Sequence, residues 1–274
     1  MGIVRKQREM KVSEKTNLIR KEISPYISKY GVITRDINHE DGNDGPHKTG
    51  LYYGALGILK DIQQSDIDNM VKLFENIVDR SGNLLRYPTT RFGKDRYFWQ
   101  ESSRDQYIAI FGGLAFMRGK DSRLDAWASR LWEVLKHKNM AGDGFIMPNH
   151  FNFFSRCMGE VDTVPKVKYW LGEVSILVGF FLECFNQIIS YVPLINKAFP
   201  KRGPGRSINS TRILFIYRLR VSMELEPSWF GRLTWKLMQL VFNPWYEFES
   251  YFLFSWDGTT SVPIHLAWKP ILKP

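Results

Sequence analysis

Three stretches decide the fold: HKTGLYYGALGILKD at 47–61, SRDQYIAIFGGLAFM at 103–117 and KYWLGEVSILVGFFLE at 168–183. Each has helical spacing, is apolar nearly all round and carries two or three glycines. A helix with no polar face is expected to be enclosed by neighbours on several sides. Working outward, DIDNMVKLFENIVDR (66–80) and DSRLDAWASRLWEVLKHK (121–138) are helical but one-sided. They read as outer helices covering the inner three. Periodicity predicts helices over 11–30, 47–62, 65–79, 103–118, 121–138, 167–191, 208–225 and 228–242, and few runs alternate with period two. The fold class is mainly α.

The inner–outer order repeats. SGNLLRYP (81–88) follows the first outer helix and GDGFIMP (142–148) the second, with their prolines 60 residues apart. Inner helices are read to start near 47, 103 and 167. A repeat of that size, with one inner and one outer helix, predicts a helical-hairpin array, an α/α toroid or an incomplete (α/α) barrel. The glycine turns after the outer helices read as C-caps. Inner-to-outer links are a few residues long, whereas the outer-to-inner links 80–102 and 139–166 exceed twenty and the segment 31–46 is equally irregular. In such an array the long links leave on one side, where inner-helix N-termini point. Long irregular links usually carry function, so the site is expected on that face. The chain divides into a basic helical segment 1–30, a hairpin domain 31–196, a basic linker 197–206 and an aromatic-rich part 207–274 packing on the same domain.

The 274 residues are 44% hydrophobic, 15% aromatic and 24% charged, which excludes a disordered, collagenous or disulfide-scaffold protein. The net charge of +10 is local: residues 1–22 carry +4 and 197–220 carry +7, so the remainder sums to −1. Solvated surface is one reading of these segments, and contact with a polyanion or anionic lipid is the other. No apolar leader precedes Glu22 and position 6 is Lys rather than Ser or Thr, so a cytoplasmic location is expected, with membrane association as the alternative. Cys157 and Cys184 lack a paired motif and read as reduced, buried thiols. Residues 169–195 are long enough to cross a bilayer, but Glu173 and Glu183 lie within them. A helix buried between other helices explains the same string without burying those charges in lipid.

Trp99-Gln100-Glu101-Ser102-Ser103-Arg104-Asp105-Gln106 is the clearest motif. Ser103 and Gln106 fit a capping box, and Asp105 suits a helix N-terminus. That account leaves Trp99, Glu101 and Arg104 unexplained; an Arg-Asp pair beside a Trp also suits sugar hydroxyls and a pyranose face. Asp41-Gly42-Asn43-Asp44-Gly45-Pro46-His47 precedes the first inner helix, and Gly142-Asp143-Gly144 through His150 lies in the third link. The first fails as a calcium loop, because the bidentate position falls on Tyr52. Turn chemistry accounts for both strings, and for Trp256-Asp257-Gly258. No nucleophile elbow, phosphate loop or zinc spacing is present, so neither a metal nor a cofactor is expected.

An Arg-Asp at a helix start after a Trp, together with Asn-Asp-Gly-Pro before another inner helix, resembles the six-hairpin glycosidase superfamily over residues 31–190. The resemblance implies that Arg104 and Asp105 hold hydroxyls of the sugar at the cleaved bond and that Asp44 lies beside the same pocket. Two departures stand. Only three or four hairpins fit 274 residues, and no counterpart of the catalytic glutamate is found. The function expected is therefore that of a carbohydrate-active, glycoside hydrolase-like protein with Asp44 and Asp105 as catalytic carboxyls. Trp99, Glu101, Arg104, Gln106, Asp143 and His150 are assigned to substrate binding. The alternative is a non-catalytic interaction or membrane-associated protein that uses its basic stretches and exposed aromatics.

Overall fold

The computed structural model describes residues 16–17, 20–21, 23–34, 45–86, 101–142 and 144–190, with 217–218, 221–222, 224–225, 229 and 232–233 from the C-terminal part. The described residues are mainly helical: α1 (Gly45–Ile58), α2 (Gln64–Ile77), α3 (Arg104–Leu114), α4 (Ser122–Leu135), α5 (Pro148–Met158) and α6 (Lys166–Ser190). A two-stranded antiparallel ribbon, β1 (Met140–Ala141) with β2 (Gly144–Phe145), separates α4 from α5.

Helices α1 and α3 lie side by side and are buried on nearly every face. Their glycines make this possible: a methyl group at Gly50 would lie 2.2 Å from the Ala109 carbonyl carbon. The other glycine face admits Tyr217, whose ring would collide with any side chain at Gly54 or Gly112. Its hydroxyl donates toward the carbonyls of Ala109 (3.1 Å) and Gly50 (3.4 Å). A helical segment from the C-terminal part thus packs against both inner helices. Outside them, α2 and α4 bury one stripe each and stack Phe74 on Trp127. Phe111 joins α3 to Trp132 of α4 and Phe154 of α5.

Several expectations need correction. The link 139–166 is not a long irregular loop, because it contains the ribbon and the whole of α5. Pro148 is one of the first two residues of that helix, where a missing N–H costs nothing. The third inner position therefore belongs to α5, which packs on α3. The helix predicted at 167–191 is its partner, and it is largely exposed rather than enclosed. The first predicted helix does not reach residue 30: a 3-10 turn spans Ser24–Tyr26 and the chain is extended at Ile27. The glycine turns are not C-caps either. Gly82 (φ +85°) and Gly142 (φ +55°) close small antiparallel turns, Val78 bridging Leu84 in one and Met140 pairing Phe145 in the other. The two repeat strings do correspond in structure, as turns after the outer helices.

Not all of the basic excess is solvated surface. Arg20 of the N-terminal segment is held by Asp66 at 2.9 Å, with both side chains largely covered. Arg218 of the second basic segment is 8% exposed.

Candidate functional site

Helix α3 begins at the N-cap Ser103, so Arg104 and Asp105 occupy its first two positions. Ser103 has the extended backbone of a cap, but its side chain makes no cap bond, so the predicted capping box does not form. Arg104 turns instead onto Asp105, with its Nε and Nη2 both 3.0 Å from Oδ1. Each of these side chains is about one-third exposed (33% and 31%). The Arg104 Nη1 also reaches the Phe145 carbonyl at 3.4 Å, which ties the start of α3 to the ribbon. The Phe145 ring stands 64% exposed beside this junction.

The start of α5 lies in the same electrostatic neighbourhood. His150 is 6% exposed and its Nδ1 accepts the Met147 N–H at 2.9 Å, so the neutral ring carries its proton on Nε2. Burial pushes its pKa well down, and the positive charges of Arg218 and Arg104 push in the same direction. Arg218 is itself lowered to about 10, first by burial and then by Arg104, with Asp105 opposing. The charge of Arg104 on α3 therefore acts on both His150 of α5 and Arg218 of the C-terminal part, and Asp105 opposes it at Arg218.

Other expected site residues are held within the fold. Glu101 bridges Leu85 through the backbone, and its carboxylate takes the Lys138 ammonium and the Tyr107 hydroxyl (3.2 Å). Tyr107 Oη in turn accepts the Leu84 N–H at 2.8 Å, and Ser102 N–H donates to the Leu84 carbonyl at 2.8 Å. The described ends of the link 80–102 and the ribbon meet here, since Gly142 lies against the carbonyls of Glu101 and Ser102. Gln106 is 2% exposed and faces inward. Asp44, Trp99, Asp143 and Asp257 lie outside the described residues. Among the described residues, no three His, Cys, Asp or Glu side chains gather to hold a metal ion.

Sequence reasoning missed Arg218 and Phe145. Arg218 was grouped with a basic run and read as surface. The available signal was the helical spacing of RILFIYRLR (212–220), in which Arg218 directly follows the inward Tyr217. No protein-family model matches the chain, and searches of curated proteins and of solved structures return no match.

Proposed function

We propose that this chain is a carbohydrate-active protein, an incomplete (α/α) barrel of helical hairpins whose ligand lies where α3 and α5 begin. The observation that carries the reading is the half-open Arg104–Asp105 pair. A guanidinium offers planar donors and a carboxylate offers acceptors, so the pair matches two adjacent ring hydroxyls. The exposed Phe145 ring gives an apolar face at the same junction. Similarity of the motifs to six-hairpin glycosidases supports the same placement.

Hydrolysis of a glycosidic bond needs two carboxyl groups, about 5–5.5 Å apart for retention or about 6.5–9.5 Å for inversion, one of them protonated. Asp105 is paired with Arg104 and acts as an acceptor. In this reading Asp105 and Asp44 are the two catalytic carboxyls, and Trp99 and Asp143 belong to substrate binding.

Asp105→Asn is the deciding change. It keeps the size of the side chain at the helix start, so the melting temperature should fall by no more than the equivalent of about 1 kcal/mol. Loss of a charged hydrogen bond should weaken oligosaccharide binding or turnover roughly 10- to 150-fold. Calorimetry across neutral and acidic glycans, with a thermal melt in parallel, reads both. Unchanged binding and melting would remove Asp105 from the site, and a large loss of stability would make it structural.

A further inference from the structure

Helix α3 starts without the cap its sequence calls for. The Ser103 side chain makes no cap bond, so it does not fix the first turn, where Arg104 and Asp105 lie. The start of the helix is held from either side of that position instead. Glu101 precedes the cap by two residues, and Tyr107 is the fourth residue of the helix. The Tyr107 hydroxyl donates back across the cap to Glu101 Oε1 at 3.2 Å. A hydrophobic staple joins the residue before a cap to the fourth helical residue and so fixes the angle at which the chain enters. Here a polar pair, reaching one residue further out, makes the same closure.

Two further segments anchor the pair. Lys138, three residues past α4, sets its ammonium on Glu101 Oε1 and on the Asn83 amide oxygen. Asn83 is itself fixed in the turn after α2: its N–H donates to Asp79 Oδ1 (2.8 Å) and its Nδ2 to Asp79 Oδ2 (3.0 Å). From the same turn, the Leu84 N–H donates to Tyr107 Oη and the Leu84 carbonyl accepts the Ser102 N–H, both at 2.8 Å. On the other side, Gly142 of the ribbon lies against the Glu101 and Ser102 carbonyls. The two residues that lead into α3 are thus clamped between the two turns.

We propose that Glu101, Tyr107 and Lys138 are positioning residues, a polar staple that stands in for the missing cap and sets the orientation of the Arg104–Asp105 pair. They act through the backbone of residues 101–103 and not by touching a ligand. The route is short, since Glu101 lies three residues before Arg104 and Tyr107 three after it. The chemistry of the staple favours this role over plain stabilisation. Apolar residues make the usual staple and avoid the desolvation of a carboxylate and an ammonium, which here are only 18% and 23% exposed. What charged hydrogen bonds add is direction. The side chains whose direction depends on this entry angle are those of the first turn, Arg104 and Asp105.

The test reads the pair directly, by magnetic resonance of the full chain carrying isotope-labelled arginine. The Arg104 Nε–H donates to Asp105 Oδ1 at 3.0 Å, and its signal is identified by its loss in Arg104→Lys. In wild type this proton should be protected from exchange with water. Lys138→Met should speed the exchange roughly tenfold, the equivalent of one hydrogen bond, and Tyr107→Phe should do the same. Lys138→Arg keeps the charge and should keep the protection. Each variant is melted in parallel. Protection unchanged in both Lys138→Met and Tyr107→Phe overturns the inference. So does a lowered melting temperature with protection intact, which is what a purely structural contact would give, and so does equal loss in Lys138→Arg and Lys138→Met. A second readout rests on the carbohydrate reading: Lys138→Met should weaken oligosaccharide binding, though less than Asp105→Asn. A wild-type chain that binds no glycan counts against that reading alone, and the exchange measurement still decides the role of the staple.

Discussion

Helices α1 and α6 are made from similar ingredients, aromatic and aliphatic residues with interspersed glycines, and they end in opposite surroundings. Nearly all of α1 is buried, whereas among the described residues of α6 only Gly172 and Ile176 are. The difference lies in the neighbours. Helix α1 has α3 against Gly50 and Tyr217 against Gly54, so each glycine is matched by a partner atom. Helix α6 has α5, and beside the buried Ile176 the contact is made by polar groups of Arg156, Asn152, Tyr169 and Glu173. An apolar string specifies that a helix needs cover. It does not specify whether protein or something else supplies it.

The largest effect should come from breaking the α1–α3 contact. In Gly50→Val the side chain must enter the Ala109 backbone, where even a methyl carbon would sit at 2.2 Å. Overpacking against backbone should cost about 3 kcal/mol or more. For a chain of this size that lowers the melting temperature by roughly 6–12 °C. An unchanged melt would mean that the two helices are not in direct backbone contact, and the comparison with α6 would fail at its better-packed end.

A smaller effect tests the polar contact under α6. Glu173→Leu removes a carboxylate, 30% exposed, from the Arg156 guanidinium, which is 1% exposed. Withdrawing one charge from a largely buried pair should cost about 2 kcal/mol. The double change Arg156→Met with Glu173→Leu should recover most of it, because a buried ion pair and an apolar pair of similar volume are often close in stability. A thermal double-mutant cycle measures the coupling. Additive losses would show that the contact does not hold α6 as a pair.

The smallest effect concerns α5, the helix that packs between α3 and α6. His150 has its pKa held down in the folded protein, first by burial and then by Arg218 and Arg104. The unfolded chain therefore takes up a proton near pH 6.5 that the folded chain refuses. Stability should be fully present above that pH and fall below it, by at most about 1.4 kcal/mol per pH unit for this one group. Gln is a natural residue at the third position of a helix start, so His150→Gln should keep the cap and flatten the stability profile below about pH 6.5. A profile of the same slope in the variant would assign the acid sensitivity to other groups.

Helices α1 to α4 were legible because their patterns are pure: α1 and α3 lack a polar face, and α2 and α4 have one each. Helix α5 was not legible. Asn149, His150, Asn152, Ser155 and Arg156 interrupt any apolar period, yet all five are buried, satisfied in part by one another's neighbours on α6 and by the Met147 N–H. Periodicity detects apolar burial and cannot detect polar burial that depends on distant partners. At the site, Arg104 and Asp105 could be found because they are adjacent in sequence at a helix start. Arg218 could not, since it comes from a segment more than 100 residues away.

What the sequence alone determined is the helical class, the inner and outer roles of the first four helices, the glycine faces and the Arg104–Asp105 motif. All of these follow from local spacing and side-chain size. Only the tertiary structure decided that α5 exists and takes the third inner place, that Tyr217 fills the glycine faces, that the charge of Arg104 acts on His150 and Arg218, and that α6 turns its apolar stripe outward. Each of those depends on which distant segment comes to lie against a given surface, and a one-dimensional pattern can state that a surface needs a neighbour without stating which neighbour arrives.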